Sequence, residues 1–144
     1  MPATTPLREV KLVLPMAPDM ELVASQAASA LAVWVGMTAD RVDEVRMAVV
    51  EACINAFEHS RAPERKVDIT FRVFGAAAPD RLEIRVHDNG VGFSPAEVEV
   101  LTIEQKLRGT RKRGWGLRII HGLMDEVRIQ SGAKGTTVVM SKSR

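Results

Sequence analysis

Glu51, Asn55 and His59 recur at four-residue intervals, and the stretch from Ala48 to Phe57 is otherwise apolar. At that spacing the three side chains share one helix face. A carboxylate and an amide carbonyl are hard oxygen donors suited to Mg2+. A carboxylate can also draw the proton from a hydroxyl as a general base. The small neighbours Ala52 and Ala56 leave room for another molecule to approach. A solvated stripe on an amphipathic helix has the same spacing, so this stripe alone decides nothing.

A second group is Asp88-Asn89-Gly90-Val91-Gly92-Phe93, just after an alternating segment. Glycines permit positive φ and close backbone approach to a ligand. A carboxylate at a strand end can accept from an exocyclic amine, while Asn-Gly is also an ordinary turn pair. A third group runs from Gly109 through Arg111, Lys112 and Arg113 to Gly114, Gly116 and Leu117, ahead of a helical pattern. Glycines before a helix start expose backbone N–H groups to an anion, and Lys106, Arg108 and Arg113 add charge that can meet phosphates. A solvated basic loop has the same composition. Two familiar phosphate signatures fail. Gly114 is followed by Trp115 and Gly116 rather than by Lys and Ser or Thr, and neither Gly92 nor Gly116 has a glycine three residues on.

Elements that must position these groups follow from periodicity. Leu7–Leu14 reads as a strand with Val10, Leu12 and Leu14 on one face, ended by Pro15 and Pro18. Residues 20–35 read as a helix with Asp19 as N-cap and Gly36 as C-terminal cap. A second helix runs from Asp40 to about Ser60. Residues 66–74 and 81–87 alternate cleanly and form an antiparallel hairpin. Residues 94–101 suit a short helix, 102–113 are aperiodic and read as mobile, and 116–125 are helical again. Strands at 127–130 and 136–141 close the chain. The fold class is therefore α+β, with one mixed, mainly antiparallel sheet and helices on one face.

The chain has 144 residues, 46% apolar and 26% charged, which suits one globular domain over residues 1–144. Aromatic residues are 4% and Tyr is absent, which argues against a base-stacking platform for single strands. The balance of 20 basic against 18 acidic residues is too even for a nucleic-acid binder. A single cysteine, Cys53, rules out an internal disulfide. No signal peptide and no bilayer-length apolar run is visible, so the expected location is the cytoplasm, without membrane association.

The order E-x-x-x-N on a helix, D-x-G-x-G after a strand, a glycine loop ending in G-x-G-L before a helix, and Gly135-Thr136-Thr137 on a last strand resembles the GHKL ATPases of the Bergerat fold. The wording EACINAFEH and GLMDEVRI is similar to the bacterial anti-sigma factor serine kinases. That resemblance implies a two-layer sandwich that uses ATP and Mg2+. It implies a sigma factor held inactive and a serine phosphorylated on a STAS-type anti-anti-sigma partner, in a homodimeric partner-switching protein. Residue by residue, it implies Asn55 as metal ligand and Glu51 as general base. It implies Asp88 on the adenine amino group, Gly90 and Gly92 against the base, and Thr137 near it. It implies Gly114, Gly116, Leu117 and Arg113 in the phosphate loop, with a lid at about 94–113. The alternative is a nucleotide-gated switch that sequesters a regulator without phosphorylating it.

Overall fold

The computed structural model describes residues 5–60, 64–89, 115–132 and 135–144. The expected helix at 94–101 and the segment 102–113 lie outside the described residues. Eight elements follow in order: β1 (Arg8–Pro15), α1 (Met20–Val35), α2 (Ala39–His59), β2 (Lys66–Phe74), β3 (Arg81–Asp88), α3 (Trp115–Leu123), β4 (Glu126–Gly132) and β5 (Gly135–Ser143). The strands form one sheet in the order β1-β2-β3-β5-β4. Every pairing among the described strands is antiparallel, so the sheet expected to be mainly antiparallel is wholly so here.

Register fixes which side chains meet. On the helix-facing side, Leu12, Ile69, Val86, Val138 and Ile129 form one row across all five strands. The next row is Val10, Phe71, Ile84, Met140 and Val127. These rows are the sheet half of the core, except for Val10 on the edge strand, which is exposed. The row at the pocket end is Leu14, Val67, Asp88, Thr136 and Ser131, where apolar side chains give way to polar ones. The opposite face is charged, with Arg72 between Glu9 and Glu83 at 2.7 and 3.7 Å.

The helix half is built from small residues. Ala24, Ala28, Ala32 and Val35 of α1 are buried, as are Val45, Ala48, Val49, Ala52, Cys53 and Ala56 of α2. Alanine is the best helix former and keeps the packed backbones close. α2 lies between α1 and α3. Gly36 ends α1 with φ of 94°, and its N–H reaches the carbonyls of Ala32 and Val33. Asp19 stands at the N-cap of α1 as expected, with φ of 72°, but makes no side-chain capping bond. α2 begins at Ala39, one residue before the expected Asp40, and Thr38 caps it, its hydroxyl accepting from the Arg41 N–H at 3.4 Å.

Candidate functional site

α2 brings its polar face over the end of β3 and β5. There Ala52, Asn55, Ala56, His59, Ser60, Val86, Asp88, Thr136 and Val138 line a pocket of about 350 Å3, its open mouth included. Val86 and Val138 come from the core row and form an apolar floor. The polar groups stand at its margin. Asn55 is 7% exposed and Asp88 is 6% exposed. The Ser60 hydroxyl donates to Asp88 Oδ1 at 3.2 Å.

Asp88 is the last residue of β3 rather than the first of a loop, and it pairs with Val67 on one side and Thr136 on the other. That placement requires Gly135. Its φ is 112°, and a Cβ there would stand 1.9 Å from the Asp88 carbonyl oxygen. Only glycine lets β5 begin so close to the end of β3.

Asn55 and Asp88 therefore meet in one pocket. Glu51 lies one turn earlier on α2, half-buried and outside the pocket lining. Thr137 is on the opposite face of the sheet, its hydroxyl 2.7 Å from His87 Nδ1. This corrects the assignment of Thr137 beside the base. Side chains alternate along a strand, and pairing with Asp88 puts Thr136 on the pocket side. Thr136 Oγ1 is 3.0 Å from Ser131 Oγ. Gly116 and Leu117 belong to the first turn of α3, whose backbone alone is described there. Gly90, Gly92, Arg113 and Gly114 lie outside the described residues.

Sequence reasoning missed Thr136 and Ser60. Strand register is the signal that finds Thr136. Ser60 carried no signal, because its partner Asp88 is distant in the chain and only the packing of α2 on β3 joins them. Two ionisable neighbours on α2 are shifted by burial. The Glu58 carboxyl, 3.9 Å from His59 Nε2, is raised by desolvation. The Cys53 thiol is raised to about 12, by desolvation first and by the Glu21 charge second.

For a divalent cation, the donor set is sparse. Among the described residues no three His, Cys, Asp or Glu side chains cluster as a metal cage. Asn55 offers a single buried amide beside the pocket. That fits Mg2+ held with phosphate oxygens and water, its usual habit, rather than an all-protein site. Among the described residues, no helix is long and apolar enough to cross a membrane.

The sequence matches the histidine kinase-like ATPase domain over residues 16–142. It is 32% identical to a serine-protein kinase RsbW of Bacillus velezensis over 143 residues, covering 96% of this chain and 88% of that protein. It is 31% identical to the serine-protein kinase RsbW of Bacillus subtilis, covering 92% and 84%. The fold is similar to a Mycobacterium tuberculosis structure of RsbU and RsbW domains, with a TM-score of 0.68 and 20% identity, over 96% of this chain and 34% of that one. A histidine kinase domain from Erythrobacter litoralis aligns with a TM-score of 0.51 at 18% identity.

Proposed function

This chain belongs to the histidine kinase-like ATPase family, and from that premise we propose that it is a GHKL-type protein-serine kinase and anti-sigma regulator, working in the cytoplasm. It transfers the γ-phosphoryl group of ATP to a serine of a STAS-type anti-anti-sigma partner, and it holds a sigma factor when that partner is phosphorylated. It works as a homodimer. The observation that carries this reading is the convergence of buried Asn55 and Asp88 on one pocket with an apolar floor.

Each residue then has a task. Asp88 accepts from the amino group of the adenine, whose faces rest on Val86 and Val138. Thr136 adds a hydroxyl on the same margin. Asn55 would hold Mg2+ through its amide oxygen, with phosphate oxygens and water as the other donors. When bound, the metal neutralises charge that builds on the phosphate oxygens during transfer. The N-terminal turn of α3, with Gly116, directs backbone N–H groups at the phosphates; Arg113, Gly114 and Leu117 are assigned to phosphate binding, and Gly90 and Gly92 to base binding. Glu51, one turn from Asn55, takes the proton of the incoming serine hydroxyl. Its Oγ forms a bond to the γ-phosphorus while the bond from that phosphorus to the β–γ bridging oxygen breaks, and ADP leaves with the electron pair.

The test is the intact mass of STAS-domain proteins after incubation with this chain and Mg-ATP. A gain of one phosphoryl group on serine, absent with Glu51→Gln, is expected. ATP binding with no phosphoprotein would overturn the kinase reading and leave a nucleotide-gated switch.

A further inference from the structure

Ser60 stands immediately after α2, and two backbone contacts hold it there. Its N–H donates to the Ala56 carbonyl at 2.9 Å. Its own carbonyl accepts from Arg65 Nη1 at 2.9 Å, while Arg65 Nη2 donates to the Phe57 carbonyl at 2.8 Å. Arg65 thus occupies carbonyls that the end of a helix leaves without intrahelical partners, with a cationic donor suited to that end. Arg65 is itself anchored, since its carbonyl accepts from the Met16 N–H at 2.7 Å just beyond β1. The chain of contacts therefore runs from the end of β1 through Arg65 to Ser60.

What Ser60 does with this fixed position is donate its hydroxyl to Asp88 Oδ1 at 3.2 Å, on the wall of the pocket. The terminal torsion of an aspartate is broad, so a donor on one oxygen narrows the orientations the carboxylate takes.

We propose that Ser60 is a positioning residue for base selectivity: it orients the Asp88 carboxylate so that the pocket prefers a purine carrying an amino group, and Arg65 holds Ser60 in place. This inference rests on the reading of the pocket as an adenine-nucleotide site. Ser60 acts through Asp88, so its loss weakens recognition of the amino group more than binding of the rest of the nucleotide. A purely structural role would weaken every nucleotide alike.

The experiment is calorimetric titration of the full chain and its variants with Mg-ATP and with Mg-inosine triphosphate, which has a carbonyl where adenine has the amino group. The native chain prefers ATP. Ser60→Ala binds ATP about threefold to tenfold more weakly, the worth of one hydrogen bond, and binds the inosine nucleotide no more weakly. Ser60→Thr, which keeps a hydroxyl, retains most of the preference. Arg65→Met lowers the preference in the same direction, and Ser60→Ala/Arg65→Met is no less selective than Ser60→Ala alone. A native preference for ATP that survives Ser60→Ala, or equal weakening toward both nucleotides, overturns the inference while leaving the pocket reading intact. A native chain that binds ATP and the inosine nucleotide equally overturns the base reading of Asp88 and this inference with it.

Discussion

Lys142 and Asp88 lie on the same face of the sheet, at opposite ends of the neighbouring strands β5 and β3, and both are buried. Lys142 is 3% exposed. Its ammonium donates to the Leu123 carbonyl at the end of α3 and to Glu44 Oε2 at 3.3 Å, with Asp125 Oδ1 at 3.9 Å. Asp125 is in turn held by Arg41 at 3.3 Å and by the Ser143 N–H at 2.7 Å. That end is a closed clamp tying α2, α3 and β5 together. At the other end Asp88 and Asn55 border open volume. Burial of a polar group therefore marks two different things. Where protein groups fill its surroundings it joins elements, and where a cavity adjoins it a ligand is to be met. The two ends make separable predictions, since damage to the clamp reads out as stability and damage to the pocket as nucleotide binding.

Gly135→Ala breaks that separation and has the largest effect. The added methyl meets the Asp88 carbonyl in a backbone conformation that alanine avoids. We expect a loss of about 2–5 kcal/mol in urea unfolding, together with loss of nucleotide binding in equilibrium dialysis. Asn55→Ala follows. Mg-ATP-dependent turnover, read as ADP release, falls by about a hundredfold or more, with a thermal midpoint near that of the native chain. Asp88→Asn weakens ATP binding by about tenfold to a hundredfold, the worth of a hydrogen bond to a charged group, and unchanged affinity would remove Asp88 from base recognition.

Lys142→Met tests the other end. It leaves the Leu123 carbonyl without its donor, while Glu44 and Asp125 are partly exposed and can rehydrate. We expect about 1–3 kcal/mol lower stability and an ATP affinity within about twofold of native. The smallest effect comes from Cys53, between the two ends on α2. Its thiol is raised from 9.0 to about 12, so the folded state favours the neutral form. The stability this contributes is whole below pH 9.0 and is lost as the pH rises toward 12. The urea midpoint of the native chain should fall over that window more than that of Cys53→Ala. A thiol reagent at pH 8 should label Cys53 only through opening of the fold, so Lys142→Met accelerates labelling and Asp88→Asn does not.

Much of this was legible in the chain because local period and burial agree. The alternation of Val67, Ile69, Phe71 and Val73 against Leu82, Ile84 and Val86 gave the hairpin and its inward face, and each of these side chains is buried. The four-residue spacing of Glu51 and Asn55 gave the polar face of α2. What was not legible depends on pairing across the sheet. Thr136 and Thr137 are chemically identical neighbours, and only the partner of Asp88 decides which faces the pocket. Ser60 and Lys142 stand near element ends, where local period assigns no partner. Their roles come from contacts between distant segments that no local pattern encodes.

The most direct test of the two-ended account is amide chemical-shift mapping during titration of the full chain with Mg2+ and a non-hydrolysable ATP analogue. The account predicts shifts concentrated at Asn55–Ser60, Val86–Asn89 and Gly135–Val138, with Glu44, Asp125 and Lys142 little changed. Shifts centred on the Lys142 clamp, with the Asp88 end unmoved, would contradict it.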